Sequence, residues 1–167
     1  EVKPACINYI LGRSGRGKTT LLFLIAGFLH PQCGTIRISP PDAKIGFAYQ
    51  DLRLIPHLTA EENIRYVLPP DYGTKKTKHI ARRYLQMFGL QGFEDFLPAE
   101  LSGGMQRRVS LARALAYPSE ILLLDEAFDS LDPQTKKAAA EVFAHIVKQQ
   151  QRTVLCVTHD PIFTQLI

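Results

Sequence analysis

The stretch LGRSGRGKTT at residues 11–20 has the spacing G-x-x-x-x-G-K-[ST], which is suited to binding a polyphosphate. Glycines let backbone N–H groups converge on phosphate oxygens without Cβ clashes, and the N-terminus of a following helix adds further donors. Lys18 can reach the β and γ phosphates, and the Thr19 hydroxyl can bind Mg²⁺. The residues predicted to bind the nucleotide here are Gly12, Arg13, Ser14, Gly15, Arg16, Gly17, Lys18, Thr19 and Thr20.

Two acidic residues, Asp125 and Glu126, follow an apolar run at residues 121–124. A buried parallel strand would bring them to its carboxyl end, where open α/β sheets bind their ligands. Asp125 ends the run and is the better candidate for holding Mg²⁺, whereas Glu126 is the better candidate for a general base. A helix-capping or salt-bridging pair is the alternative. His159 follows another buried run, at residues 153–158, and is predicted to contact the γ phosphate or to orient water.

A second donor-rich helix N-terminus is predicted at LSGGMQRR, residues 101–108. Ser102 is suited to cap the helix, and Gly103 and Gly104 leave its first N–H groups open to an anion. The chain therefore carries two predicted phosphate-binding helix ends but only one lysine of the phosphate-loop type. Spacing alone leaves open how the two ends are used.

Short apolar runs alternate with helical patterns, and they indicate the elements that must position these residues. The runs at residues 6–11, 44–50, 120–126 and 152–160 and the alternating residues 35–39 predict strands. Because the longer runs lack polar alternation, they fit strands covered on both faces, as in a parallel sheet. The fold class that follows is α/β, with a mainly parallel sheet flanked by helices.

The middle of the chain, residues 51–116, has helical patterns and no strand-like run. We therefore predict a helical insert there, within a single domain whose core is formed by residues 1–50 and 117–167. Thr59 and Glu62 have the spacing of a capping box. The predicted helices cover residues 19–29, 58–68, 74–90, 102–116 and 133–150. In the first helix, one face is formed by Leu21, Leu22, Ile25 and Leu29.

The composition is that of an ordinary globular chain, with 167 residues, 46% hydrophobic and 22% charged, and a formal net charge of +4. This argues against disorder, and the mild charge does not by itself indicate a nucleic-acid partner. The longest apolar run, residues 21–29, is shorter than the roughly 20 residues that span a bilayer, and the first residues lack the charged-then-apolar pattern of a secretory leader, so we expect neither feature. Cys6, Cys33 and Cys156 lack metal-ligand spacing, so we interpret them as small buried residues in a reducing cytosol.

Together the motifs resemble those of the nucleotide-binding domain of ATP-binding cassette (ABC) transporters. LSGGMQRR is similar to the family's signature motif, GRSGRGKT to its Walker A motif and ILLLDE to its Walker B motif. Gln50 matches the Q-loop glutamine, residues 130–132 match the D-loop, and His159 matches the switch histidine. A narrower resemblance is to importer subunits of the nitrate, sulfonate and taurine group. The resemblance implies a P-loop NTPase fold with the signature motif on the helical insert.

The resemblance also implies a function, namely Mg²⁺-dependent hydrolysis of ATP that powers solute transport. Its residues for catalysis are Lys18, Gln50, Glu126 and His159, and those for Mg²⁺ are Thr19, Gln50 and Asp125. In the family two such domains pair head to tail, so Ser102, Gly103 and Gly104 would act on ATP held by a second copy. The segment after Gln50 would contact transmembrane permease subunits, and the implied location is cytoplasmic, at the inner face of the cell membrane.

The chain departs from the family pattern, because it begins after the segment with the adenine-stacking aromatic residue and ends soon after His159. We therefore expect a truncated or unusually short cassette. It also has Ala127 where proline is usual. Two alternatives stay open, a short cassette that binds nucleotide without turnover and an ABC ATPase that acts on DNA. We expect no nucleic-acid partner, since a solvated face explains the basic residues Lys75, Lys76, Lys78, Arg82 and Arg83, as solvation also can for Arg13 and Arg16.

Overall fold

The computed structural model describes residues 1–13 and 15–158. In chain order, the strands and α-helices of this described part are β1 (Ile7–Ile10), α1 (Lys18–Ile25), β2 (Ile45–Ala48), α2 (Ala60–Arg65), α3 (Gly73–Met87), α4 (Gly103–Ala116), β3 (Ile121–Asp125), α5 (Pro133–Gln150) and β4 (Thr153–Val157). Short 3₁₀ turns at Pro70–Tyr72 and Pro98–Glu100 precede α3 and α4. None of these helices has the length and hydropathy needed to cross a membrane.

The four described strands form one parallel sheet in the order β1–β4–β3–β2, which confirms the predicted fold class. The register pairs Val157 with Ile10 on one side and with Asp125 on the other. The carboxyl ends of β1, β4 and β3 therefore lie at one edge of the sheet. β4 separates the strand before the glycine-rich loop from the strand that ends in Asp125.

Each face of the sheet is covered by helices, and successive residues of β3 enter two different cores. Leu123 packs with Leu22 of α1 and with Leu155 of β4. Leu122 and Leu124 belong to the larger core, which also contains residues of α2, α3, α4 and α5. Burial on both faces is the physical reason that this strand is a continuous aliphatic run.

The helical insert predicted at residues 51–116 folds as α2, α3 and α4 and contains no strand. Ile64 and Leu85 are fully buried between these helices and the rest of the large core. The predicted capping box at the start of α2 is confirmed, because the Thr59 hydroxyl accepts from the Glu62 N–H at 3.2 Å and the Glu62 carboxylate accepts from the Thr59 N–H at 2.9 Å.

Two polar side chains, Asn63 of α2 and Arg113 of α4, hold the segment between β2 and α2. Asn63 is fully buried; its Oδ1 accepts from the Ile55 N–H at 2.8 Å, and its Nδ2 donates to three carbonyls. Those carbonyls belong to Ile55, Leu58 and Thr59. Arg113 donates to the carbonyls of Arg53 at 2.8 Å and Leu52 at 3.0 Å. An irregular segment is thereby fixed through its backbone rather than through packing alone.

The first helix is shorter than predicted, and its apolar face is narrower. α1 ends at Ile25, because Gly27 adopts a positive φ of 76° and turns the chain away. Leu29 consequently lies outside the helix and is exposed, and Leu21 is also exposed. Leu22 is the fully buried residue of the predicted face and carries the contact with the sheet.

Two further sequence predictions are wrong. Residues 35–39 do not form a strand, since no described strand lies alongside to pair with them. Cys6 and Cys33 are exposed, and Cys156 alone of the three cysteines is buried, in β4. The apolar character of a cysteine therefore predicted burial only where the residue lies in a central strand.

Candidate functional site

The glycine-rich loop connects β1 to α1, as predicted, and its shape depends on glycine conformation. Gly15 and Gly17 have φ values of 78° and 81°, in the left-handed region that disfavours residues with a Cβ. A Cβ built on either would meet no protein atom within 4 Å, so within the chain itself the requirement for glycine is torsional. Gly17 caps α1 without a side-chain hydrogen bond, which leaves the first N–H groups of the helix facing the loop.

Lys18 is the first residue of α1, and its ammonium group crosses the loop. Nζ donates to the carbonyl of Gly12 at 2.7 Å and to that of Arg13 at 3.1 Å. These bonds hold the positive charge over the loop, beside the N-terminus of α1, where two sources of positive potential add. Arg16 and the side chain of Arg13 are exposed, consistent with solvation.

Asp125 ends β3 beside the start of α1 and receives a hydrogen bond from the Thr19 side chain. The carboxyl is buried, and this burial raises its pKa, as does the charge of Glu126; the Thr19 bond and the charge of Lys18 act in the opposite direction. Its Oδ1 is buried and, among residues 1–13 and 15–158, has no hydrogen-bond partner. Hard cations such as Mg²⁺ prefer oxygen ligands. A buried carboxylate oxygen that accepts no hydrogen bond and lies next to a hydroxyl is therefore suited to bind such an ion.

Glu126 follows Asp125 with a φ of 48°, a left-handed conformation that costs a residue with a Cβ roughly 1–2 kcal/mol. Its N–H donates to the carbonyl of Val157 at 3.0 Å, which ties this turn to the neighbouring strand. Its carboxylate accepts from the Gln50 Nε2 at 3.3 Å. The predicted general base and the predicted Q-loop glutamine are therefore in direct contact, which no sequence spacing indicated.

The second predicted anion site begins α4. The Ser102 hydroxyl caps the helix by accepting from the Met105 N–H at 3.3 Å. Ser102 and Gly103 are exposed, and a Cβ on Gly103 would meet nothing within 4 Å, so this helix end is open to solvent. Within the described part of the chain, no hydrogen bond joins Ser102, Gly103 or Gly104 to the Lys18 loop.

The structure thus brings together the loop of Lys18, the pair Thr19–Asp125 and the pair Gln50–Glu126, and it leaves the Ser102 helix end apart from them. Ser14 and His159 lie outside the described residues. No group of three or more His, Cys, Asp or Glu side chains in the described chain could hold a metal ion. A site for Mg²⁺ would therefore combine few protein ligands with phosphate oxygens, as is usual for this ion.

Sequence reasoning missed the buried residues that support the segment around Gln50, chief among them Arg107. An arginine in a helix is usually a solvated charge, so its type and spacing carry no signal of burial. The contact of Gln50 with Glu126 was missed for a related reason, because it joins residues 76 positions apart.

A parallel α/β sheet with a glycine-rich loop between a strand and a helix, and a buried acid that reaches the threonine of that loop, defines a P-loop NTPase. The sequence profile described as "ABC transporter" matches residues 1–129. These residues make up more than half of the chain. The chain therefore belongs to the ABC transporter family, as its motifs predicted.

Curated relatives of the chain include importer subunits. It is 42% identical over 156 residues to the aliphatic sulfonates import ATP-binding protein SsuB of Bacillus cereus, covering 90% of this chain and 61% of that protein. It is 37% identical over 168 residues to the thiamine import ATP-binding protein ThiQ of Photobacterium profundum, covering 95% and 70%. The chain thus spans about three fifths of the length of the first of these relatives.

Solved structures similar to the chain are ABC cassettes. A structure described as a dimeric post-hydrolysis state of the ATP-binding cassette MJ0796 bound to ADP and Pi has a TM-score of 0.88 and 31% sequence identity. The similarity covers 99% of this chain and 80% of that one. A second dimeric structure of MJ0796, described as a bacterial ABC transporter cassette, has a TM-score of 0.89 with the same identity and coverage.

Proposed function

We propose that this chain binds and hydrolyses ATP as part of an ABC importer. The observation that carries the proposal is the meeting of three groups at one end of the sheet, namely the Lys18 loop, the Thr19–Asp125 pair and the Gln50–Glu126 pair. The curated relatives described as import ATP-binding proteins support the importer assignment. The solute is not indicated, since those relatives differ in the solute that they are named for.

Binding of the triphosphate would rest on the loop between β1 and α1. The open N–H groups at the start of α1 and the Lys18 ammonium are suited to the phosphate oxygens. Asp125 Oδ1, which no described residue bonds, and the Thr19 hydroxyl fit Mg²⁺, with Gln50 as a further oxygen donor. When bound, this ion supplies positive charge that offsets the charge developing on the phosphate oxygens.

Hydrolysis would proceed by in-line attack of water on the γ phosphate, a reaction in which positioning and electrostatics supply most of the catalysis. Glu126, which follows the last residue of β3 in a left-handed conformation, would accept a proton from the attacking water. Gln50 holds that carboxylate from the side and would orient the water. His159, by its motif, remains a candidate for a γ-phosphate contact.

A second copy of the chain would complete the site. Ser102, Gly103 and Gly104 lie at an exposed helix N-terminus that, among the described residues, is not bonded to the Lys18 loop of the same chain. We propose that this end meets the γ phosphate held by the partner copy, which gives two shared ATP sites per dimer. The similar solved structures are themselves described as dimeric, in support of this arrangement.

The permease contact is proposed at a cleft in the helical insert. It has a volume of about 460 Å³ and lies between α2 and the start of α3. Its lining includes Leu58, Pro69 and Tyr66, and Tyr66 is 70% exposed. An open, partly aromatic cleft that begins a few residues after Gln50 is suited to a short segment of a membrane subunit. Such docking would hold the chain at the inner face of the membrane.

Phosphate release and ATP affinity of the purified chain, with and without permease, test the proposal. Glu126→Gln keeps an acceptor for the Gln50 amide but removes the base, so we expect turnover to fall roughly 10²- to 10⁴-fold while ATP still binds. Lys18→Ala should weaken ATP binding itself. Glu141→Gln and Lys137→Ala change exposed residues of α5 and serve as matched controls.

The outcomes separate the proposal from its alternatives. Unchanged turnover in Glu126→Gln would remove Glu126 from the role of base, and equal affinity in Lys18→Ala would refute the phosphate-loop assignment. ATP binding without phosphate release, even with the permease, would favour a cassette that does not turn over. Salt-sensitive DNA binding through the basic face of α3 would favour the DNA-acting alternative.

A further inference from the structure

Arg107 lies in the signature helix α4, and its side chain is almost fully buried, with 7% exposed. Its guanidinium donates in three directions. Nε donates to the hydroxyl of Ser130 at 2.9 Å, Nη1 donates to the carbonyl of Tyr49 at 3.0 Å, and Nη2 donates to the carbonyl of Gln50. One side chain of α4 therefore bonds to two separate segments, residues 49–50 and the turn at Ser130.

The two segments that Arg107 joins flank Glu126. The Gln50 side chain donates to the Glu126 carboxylate, and the Gln50 carbonyl is held by Arg107. Ser130 lies in the turn between β3 and α5, four positions after Glu126. The distance between Gln50 and the turn that carries Glu126 is thus bridged twice, once by the Gln50–Glu126 bond and once through the guanidinium.

Only a planar guanidinium can make this set of contacts at once. Its donors point outward in one plane, whereas a lysine ammonium is a single point with a different reach. Burial lowers the pKa of Arg107, and the charges of Asp129 and Asp51 oppose that shift. Burying a charge is costly unless it is well bonded, and here the bonds go to the segments beside the proposed base.

We propose that Arg107 is a positioning residue for ATP hydrolysis, because it fixes the backbone of Gln50 and the Ser130 turn in one arrangement around Glu126. This inference rests on the proposed function. It predicts a larger effect on the chemical step than on ATP binding, since the hydrogen bonds of Arg107 within the described residues go to Tyr49, Gln50 and Ser130 and not to the Lys18 loop. Arg107 acts through Gln50 and Ser130 and does not itself touch the nucleotide.

Arg113 provides a matched control on the same helix. It is also an arginine whose pKa is lowered by burial, and it also donates to backbone carbonyls. Its hydrogen-bond partners in the described chain are Leu52, Arg53 and the side chain of Asn63, so it supports the later part of the same segment without a hydrogen bond to Gln50 or Ser130. Loss of either guanidinium should destabilise the fold, but only loss of Arg107 should disturb the surroundings of Glu126.

The test compares Arg107→Lys and Arg113→Lys in the full chain by ATP turnover, thermal melting and hydrogen exchange. For Arg107→Lys we expect kcat to fall about tenfold or more, with the KM for ATP changed less than about twofold. Arg113→Lys should melt at a similarly lowered temperature and keep its kcat. Ser130→Ala, at an exposed residue, should lower kcat by itself and add little to Arg107→Lys, because both changes break the same link.

Equal loss of kcat in Arg107→Lys and Arg113→Lys, or full additivity of Ser130→Ala with Arg107→Lys, would overturn the inference. Absence of turnover in the wild-type chain would instead count against the proposed function, and hydrogen exchange then decides on Arg107. We expect faster hydrogen exchange at residues 49–51 and 129–131 in Arg107→Lys than in the wild-type chain. If Arg107→Lys does not fold, the same increase is expected in Ser130→Ala. Unchanged exchange at both segments would refute the positioning role.

Discussion

The buried amide of Asn63 makes a quantitative prediction about the segment that follows Gln50. In Asn63→Ala two backbone groups would lose their only hydrogen-bond partner within the described chain, the Ile55 N–H and the Leu58 carbonyl. The Ile55 carbonyl would still accept from the Leu58 N–H, and the Thr59 carbonyl would still accept from the backbone N–H of residue 63. Arg113 Nη1 would also lose its bond to Asn63 Oδ1 but would keep its bond to the Arg53 carbonyl, so only two of the five lost bonds leave an orphan group.

A buried backbone group that loses its hydrogen-bond partner costs about 1–3 kcal/mol. Because the segment is only half-buried, we take the low end of this range for each of the two orphan groups. Asn63→Ala should therefore lower the free energy of unfolding by about 2–3 kcal/mol, including a small cavity. Asn63→Asp keeps the acceptor for Ile55, and its new charge faces the Arg113 guanidinium at 3.4 Å. Its other carboxylate oxygen replaces Nδ2 and faces the three carbonyls that the amide served, at 2.9–3.1 Å, so its cost should be at least that of the alanine variant.

Urea denaturation of the three proteins measures these differences, with Thr77→Ala as the control. Thr77 is also a buried polar residue of a helix, but its hydroxyl donates only to Gly73 and Thr74 carbonyls of its own helix. Its loss should cost less than about 1 kcal/mol. If Asn63→Ala and Thr77→Ala proved equally destabilising, the account of the segment as backbone-anchored by Asn63 would be wrong.

Three further predictions concern the loop, the cysteines and the core. Gly17→Ala should lower the free energy of unfolding by about 1 kcal/mol in urea because of its positive φ, whereas Gly103→Ala, at an open helical position, should not; equal effects would contradict the torsional explanation. A thiol reagent should modify the exposed Cys6 and Cys33 in the native chain and Cys156 only on unfolding, because burial raises the pKa of Cys156 to about 12; one common rate would contradict this. Phe143→Ala should cost about 3–5 kcal/mol in the same urea assay, since the ring is fully buried, and a cost below about 1 kcal/mol would mean that the site collapses around the gap.

Much of the fold could be predicted because its signals are local. The aliphatic run that became β3 and the capping box of Thr59 and Glu62 depend on residues a few positions apart. Residues 35–39 have the alternation of a strand and still form none, because a strand also needs a neighbour to pair with. Leu29 continues the helical spacing of Leu22 and Ile25, but the left-handed turn at Gly27 ends the helix before Leu29 is reached.

Some features of the candidate site could likewise be predicted from the sequence, and others could not. The types and spacing of Lys18, Thr19 and Asp125 indicated their proximity, because a phosphate loop and an acid at a strand end both lie at the carboxyl edge of a parallel sheet. The order of the strands was not indicated, and β4 lies between β1, which precedes the loop of Lys18, and β3, which ends in Asp125. The catalytic roles given to Glu126 and Gln50 stay predictions, although the two side chains are in contact.

The sequence by itself determined the class of this protein, since glycine spacing, apolar runs and a capped signature helix are properties of short stretches of chain. Only the tertiary structure decided which residues surround Glu126. The contact with Gln50 spans 76 positions, and the bonds from Arg107 to Gln50 and Ser130 span 57 and 23 positions. Such contacts form when packing of the whole chain closes long loops, and no local pattern encodes which partners will meet.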